Sequence, residues 1–329
     1  MCHCQARQAC KTPEPVEAIL ETLPQEPQAT HSYVYAGIPE REGESMTQQV
    51  LVLAPHPDDA EFYAGGTLAK MIAAGATVTI VIATNGDKGS FELEATRLAE
   101  VRRMEALRAA SLLGVREVLF LDHVDGELDR LPPGHLRGQF MRTIRQQRPD
   151  VLFTFDPFAP FEDHPDHRAV AFAALEAASF APYPLHHPEQ IEEGSAVHQV
   201  AEAYFFAKHP MYANKAVDIG ETLELKIAAL QEHKSQIAFL YEDWVRKATL
   251  ASEGLVTAMP EITSREGGAA QGMAWMIRQQ ARADGAAVGI PFAERFRYPT
   301  TVGQRPMAKR ETAVELRSDR PAPPPKWTG

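Results

Sequence analysis

Cysteine is nearly missing from this chain of 329 residues: there are three, Cys2, Cys4 and Cys10, and none beyond. No disulfide can cross-link the body of the protein, which suits a reducing compartment, and a cytoplasmic home is expected. Cys2-His3-Cys4 with Cys10 matches no common zinc module, so these read as tail thiols. Long apolar runs are missing as well. None approaches the ~20 residues of a membrane span, and the N-terminus lacks the basic-then-apolar pattern of a secretory signal. Positive charge is in the minority, with 33 Lys and Arg against 44 Asp and Glu and a net charge of −11. That balance excludes a non-specific binder of nucleic acid or of anionic membrane. A G-x-G-x-x-G fingerprint is not found either: Gly65-Gly66, Gly86 and Gly89 do not make one, so no dinucleotide cofactor is expected.

What is present is an ordinary globular composition, 44% hydrophobic, in a chain long enough for one large or two small domains. Residues 1–45 are weakly patterned and frequent in Pro, Glu and Gln, and read as an N-terminal extension or disordered arm. Residues 310–329 contain Pro-Ala-Pro-Pro-Pro and read as a tail. Between them, residues 46–309 form the expected domain. Apolar runs at 50–54, 77–83, 117–121 and 151–155 read as strands. Helices are predicted from about Glu61 through Ile72 to Ala74, then over 95–113, 136–147 and 168–178. Strands alternating with helices imply an α/β fold, a Rossmann-like parallel sheet with helices on both faces. Right-handed crossovers then put every post-strand loop on one edge. Beyond residue 180 a Pro/His-rich loop is expected over 183–198. Extra strands at 203–206 and 216–219 and helices at 223–240 and 273–283 follow.

The unusual polar residues fall in those post-strand loops. After the first strand comes Pro55-His56-Pro57-Asp58-Asp59-Ala60-Glu61. Asp58 and Glu61 could be a D-x-x-E helix cap, but a cap explains neither His56 nor two adjacent acids, which repel unless a cation lies near. After the fourth strand comes Phe161-Glu162-Asp163-His164-Pro165-Asp166-His167-Arg168. Two histidines three apart share a face if the turn is helical, and Asp166 reads as an N-cap. Combined, His56, Asp59 and His167 give two imidazoles and a carboxylate, a set that suits Zn2+ with an open position for water. Asp58 would then be the general base and His164 a group that stabilises an oxyanion or protonates a leaving group. The same three ligands also describe a non-haem iron oxygenase, and a non-catalytic glycan binder is a third alternative.

Several stretches together resemble the LmbE-like (PIG-L type) metal-dependent de-N-acetylases. They are His56-Pro57-Asp58-Asp59-Ala60-Glu61, Gly65-Gly66-Thr67, Thr84-Asn85-Gly86-Asp87-Lys88-Gly89-Ser90, Arg102-Arg103-Met104-Glu105, Asp125-Gly126 and His164-Pro165-Asp166-His167-Arg168. Lys226 and His233-Lys234-Ser235-Gln236 resemble the family's later helix. The match runs over about residues 49–240 and rests on the order and spacing of the motifs. It implies a Rossmann-like fold and a zinc-dependent hydrolase that removes an N-acetyl group from an amino sugar of N-acetylglucosamine type. It also implies His56, Asp59 and His167 as metal ligands, Asp58 as base, His164 as the assisting histidine, and Arg102 and Asp125 as substrate-binding residues. Arg102 could instead pair with Glu105 on a solvated helix face. The expected partner is a small N-acetylated sugar or glycoconjugate. Members of the family often assemble as trimers or hexamers, so a homo-oligomer is expected too.

Overall fold

The structure, a computed structural model, describes residues 47–208, 213–251 and 268–299. The N-terminal extension with its cysteines and the Pro-rich tail lie outside the described residues.

The alternation read from the sequence is the one found. Strands β1 (Gln49–Ala54), β2 (Thr77–Thr84), β3 (Glu117–His123), β4 (Val151–Phe155) and β5 (Glu202–Phe206) run parallel. Between them lie helices α1 (Asp59–Ala73), α2 (Ala95–Leu113), α3 (His135–Gln147), α4 (Pro165–Phe180) and a short α5 (Pro188–Glu192). Then come β6 (Lys215–Asp218), α6 (Leu223–Gln231), α7 (Lys234–Ala251), α8 (Gly268–Ala286) and β7 (Ala293–Arg297). The strands make one sheet in the order β3-β2-β1-β4-β5-β7-β6, with β7 antiparallel to both neighbours.

Alternation along β1 shows why its run is apolar without interruption. Val50, Val52 and Ala54 face a core shared with Ala60, Ala64 and Leu68 of α1 and Ile227 and Leu230 of α6. Leu51 and Leu53 face the other way, onto Phe140 and Ile144 of α3 and Val170 and Ala174 of α4. A strand buried on both faces has no polar side to show. The chain winds from β1 outward to β3, then returns to place β4 on the other side of β1. This reversal opens a crevice beyond the carboxyl ends of β1 and β4, where open α/β sheets bind ligands.

Three local expectations are corrected. Helix α1 begins at Asp59, earlier than the expected Glu61, and runs through Gly65-Gly66 to Ala73. A Cβ on Gly66 would lie 2.9 Å from the Ile219 side chain, so the pair permits close packing. The helix expected over 223–240 is two, broken at Glu232-His233. The loop expected over 183–198 contains α5. That segment is held from beneath by Arg145, 1% exposed. Its guanidinium donates to the carbonyls of Ala181, Tyr183, His186 and His187 and to Gln190 Oε1, at 2.8–3.2 Å. Arg145→Met leaves those acceptors dry and unpaired, and should cost about 3 kcal/mol in urea unfolding. Arg145 sits near the end of α3, at the sheet edge opposite the crevice, so kcat should stay at the wild-type value.

Candidate metal centre and active site

The first half-site is a turn pinned to the sheet. Pro55, just past β1, has its carbonyl bonded by the N–H and hydroxyl of Thr84 at 2.8 and 2.9 Å. His56 follows, 7% exposed. Its N–H donates to Asp59 Oδ2 at 2.9 Å, and its ring Nδ1 lies 3.1 Å from the same oxygen. Its Nε2 points the other way, 3.2 Å from Asp166 Oδ2 and 3.3 Å from Asp125 Oδ1.

The second half-site arrives with α4. His164 is the N-cap, and its Nδ1 accepts the N–H of Asp166 at 3.2 Å. A nitrogen that accepts carries no proton, so the neutral ring presents Nε2–H as a donor. His167 lies in the first turn of α4, stacked on Phe155 at 4.0 Å. Its Nε2 is 3.8 Å from Asp59 Oδ1 and its Nδ1 is 3.1 Å from Glu162 Oε2. Residues more than a hundred positions apart thus meet at the crevice: the rings of His56 and His167 are 5.2 Å apart and those of His56 and His164 4.6 Å.

Among the described residues, His56, His164 and His167 offer one donor atom each within 4.8 Å of one another, as do His56, Asp125 and Asp166. Asp59 joins the first group edge-on, through Oδ2 to His56 and Oδ1 to His167. The donor set fits a divalent cation. Nitrogen and carboxylate donors bind zinc at about 2.0–2.2 Å, so a tetrahedral ion separates them by roughly 3.3–3.6 Å, a range bracketed by the 3.1 Å from Asp59 to His56 and the 3.8 Å from Asp59 to His167. His56 and His167 each have a further carboxylate at the nitrogen turned away from Asp59, the usual outer partner of a metal-bound histidine.

The charges agree with this. Burial would lower the His56 pKa, but hydrogen bonds with Asp125, Asp166 and Asp59 outweigh it and hold it well above the ordinary value. Burial would raise Asp59, yet the charges and hydrogen bonds of His167 and His56 bring it down to about 2. Glu162 also resists its burial, reaching about 2 through hydrogen bonds from His167 and Lys208. His164 is lowered by burial and by the neighbouring His56 and His167 charges.

Asp58 stands apart from these ligand candidates. It makes no side-chain cap bond, and its backbone sits at φ 145°, a region non-glycine residues rarely occupy. Burial drives its carboxyl up, Arg102 pulls it down and the Asp59 charge raises it, leaving it at about 6. The cap read from Asp58 and Glu61 is therefore not formed. Glu61 lies 3.7 Å from His233 instead.

Arg102 and Asp125 are both buried, at 3% and 7% exposure. Arg102 donates to Gly86 O at 3.0 Å, Pro57 O at 3.2 Å and Asp58 Oδ2 at 3.3 Å, and approaches Asp125 Oδ2 at 3.7 Å. The exposed pair with Glu105 does not form, because Glu105 accepts from the Ser235 N–H and hydroxyl at 2.9 and 2.6 Å. Gly86 is required here: its φ is +68°, and a Cβ would meet the Arg102 guanidinium at 2.7 Å. Asp125 lies between His56 and Arg102, and its N–H donates to Asp87 Oδ1.

Asp166 was read as an N-cap and is corrected: it is in the first turn of α4, 0% exposed. It accepts from Gly126 N at 2.6 Å and Leu128 N at 3.0 Å, tying the loop after β3 to His56. Glu162 and Lys208 had no expected role. Only the nearness of Glu162 to the two histidines could have drawn attention to it.

Residues 51–178 match the family model PIG-L, GlcNAc-PI de-N-acetylase. A diacetylchitobiose deacetylase of Thermococcus kodakarensis is 34% identical over 209 residues, covering 62% of this chain and 77% of that protein. A probable N-acetyl-alpha-D-glucosaminyl L-malate deacetylase 2 of Bacillus anthracis is 29% identical, covering 58% and 82%. Among solved structures, the N,N'-diacetylchitobiose deacetylase of Pyrococcus horikoshii superposes with a TM-score of 0.63 at 29% identity, covering 77% of this chain and 84% of that one. These names favour hydrolysis over the oxygenase and the silent glycan binder.

Proposed function

The chain belongs to the PIG-L family of de-N-acetylases, and from that membership we propose that it hydrolyses the N-acetyl amide of an N-acetylglucosamine-type sugar at a zinc centre held by His56, Asp59 and His167. The observation that carries this reading is the meeting of His56 and His167 around the two oxygens of Asp59, with Asp58 beside them, its carboxylate held by Arg102 and not by either histidine.

A divalent cation held there supplies Lewis-acid activation of water and of the amide carbonyl. Asp58 takes a proton from the attacking water as the water oxygen bonds to the acetyl carbon. His164 Nε2–H donates to the oxygen on which negative charge develops, a contribution typical of an oxyanion donor. The C–N bond then breaks and the Asp58 proton passes to the departing amine, releasing acetate. Arg102 holds Asp58 and the Pro57 and Gly86 carbonyls in place. An open cavity of about 340 Å³ adjoins the turn at Pro57, lined also by Asn85, Asp87, Arg103, Phe120 and Asp122, with none of His56, Asp58, Asp59, His164 or His167 in its wall.

The same reading assigns the catalytic domain to residues 46–309 and the ligand to a small N-acetylated sugar or glycoconjugate. It also takes the protein to be a cytoplasmic homo-oligomer with neither nucleic-acid nor membrane partners. Among the described residues no helix is long and apolar enough to cross a membrane.

The test is acetate release from a panel of N-acetylated sugars, thiol-sugar precursors and chito-oligosaccharides, with chelated and zinc-restored enzyme. No release from any of them by metal-loaded protein would overturn the reading. The pH profile adds a signed expectation. Asp58 works only as a carboxylate, so kcat/KM should fall about tenfold per unit below pH 6. Its raised value also means that the folded state holds this proton more tightly than the unfolded chain. Its contribution to stability is thus complete below the ordinary 3.8 and lost as pH rises through about 6.

A further inference from the structure

Glu162 is a buried carboxylate with no part in the chemistry above. It lies on the loop between β4 and α4, its side chain 5% exposed. Oε2 is 3.1 Å from His167 Nδ1. Oε1 accepts from the His164 N–H at 3.1 Å and from Lys208 Nζ at 2.8 Å. Lys208 follows β5, so the contact ties the loop after one strand to the segment after the next.

The His167 ring is sandwiched. Phe155 stacks on it at 4.0 Å and 27°, and His164 at 4.7 Å and 20°. Stacking fixes the plane of an imidazole but not which edge points where. A half-turn about the Cβ–Cγ bond keeps the plane and both stacks while exchanging nitrogens for carbons along each edge, and the side-chain torsion there is close to two-fold. Something directional must break the tie: Nε2 lies 3.8 Å from Asp59 Oδ1, beyond hydrogen-bond reach, whereas Nδ1 lies 3.1 Å from Glu162 Oε2, within it.

We propose that Glu162, anchored by Lys208, is a positioning residue that holds His167 as the Nδ1–H tautomer with Nε2 aimed at Asp59. The proposal rests on the reading of His167 as a metal ligand. An imidazole offers a lone pair at one nitrogen only when its proton sits on the other, and a carboxylate accepting that proton also makes the free nitrogen a stronger donor. Lys208 keeps the carboxylate oriented, with its other oxygen left to the ring.

The experiment is zinc titration against a competing chelator for the wild type, Glu162→Ala, Glu162→Gln, Lys208→Met and Asp163→Ala. His167 tautomers are read in the metal-free proteins by 15N NMR. Loss of an outer-shell partner weakens metal binding by about 10–100-fold, and Glu162→Ala should fall in that range. Glu162→Gln should lose less, because an amide oxygen still accepts from Nδ1. Lys208→Met should lose roughly threefold, the scale of one partly exposed ion pair. Asp163, with its side chain 93% exposed, meets Lys208 only at 3.7 Å and makes no contact with His167, so Asp163→Ala should stay within about twofold of wild type. The wild-type spectrum should show the proton on Nδ1, and that preference should vanish in Glu162→Ala.

Zinc affinity within twofold of wild type in Glu162→Ala would overturn the proposal, as would an unchanged tautomer. If Glu162→Ala does not fold, wild-type affinity in both Glu162→Gln and Lys208→Met overturns it equally. A wild type that binds no zinc brings down the metal-centre reading, and this proposal with it. A wild type that binds zinc beside variants that bind it as well refutes this proposal alone.

Discussion

Asp58→Asn should fold, bind its metal and lose turnover by about 10²–10⁴-fold, the usual contribution of a positioned acid or base. The substitution keeps the shape and the contact with Arg102 but cannot take a proton from water. Metal content measured on the same sample separates this loss from loss of the cation. A variant with metal bound and wild-type acetate release would remove Asp58 from the mechanism. Asp58→Gly extends the argument. The native backbone at Asp58 has φ 145° and no cap bond from the side chain, and such strain is worth about 1–3 kcal/mol. Glycine relieves it and also removes a half-buried carboxylate whose pKa is already forced up to about 6. The opposing cost is the greater freedom of an unfolded glycine, about 0.5–1 kcal/mol. Asp58→Gly should therefore be inactive yet at least as stable as the wild type in urea. A clear loss of stability would mean the strain is not there to be relieved.

Much of this arrangement could be read from the sequence, for a definite reason. The strands that build the crevice are short, apolar and separated by helices, so their loops had to share an edge. His56, Asp59, His164 and His167 stand within a few residues of strand ends or helix starts, where local pattern alone locates them. What stayed hidden depends on contacts between distant segments. Nothing near Gly66 in the chain shows that its missing side chain makes room for Ile219. β7 is a short strand whose place between β5 and β6 follows only from pairing. Asp166 occupies a cap-like position, and only the folded loop after β3 turns it into a buried anchor for His56. Lys208 reaches Glu162 across 46 residues. Spacing along the chain has no means of announcing such a pair.

The two proposed histidine ligands should behave differently once the metal is gone. Both His56→Ala and His167→Ala should lose tight metal binding. In the metal-free protein, however, His56 is the cation among three acids: Asp59 at 3.1 Å, Asp166 at 3.2 Å and Asp125 at 3.3 Å. His56→Ala leaves these carboxylates facing one another in a buried site, and removing one partner of a buried ion pair costs about 3–5 kcal/mol. His167→Ala leaves Glu162 still paired with Lys208, so its cost should be closer to that of the lost packing against Phe155. The sign with pH follows from His56. Its raised value means a contribution to stability that is complete below the ordinary 6.5 and fades as pH rises through the folded value. The gap between wild type and His56→Ala in the metal-free state should therefore be widest near neutral pH. It should narrow in alkali, where His56 loses its charge, and in acid, where protonation of the unpaired acids relieves the variant. Loading the wild type with zinc at pH 7 should release about one proton, because a ligand imidazole must be neutral. Calorimetry in buffers of different ionisation enthalpy counts that proton. A metal-free His56→Ala protein as stable as the wild type at pH 7, or zinc binding without proton release, would show that His56 does not carry the charge that holds this site together.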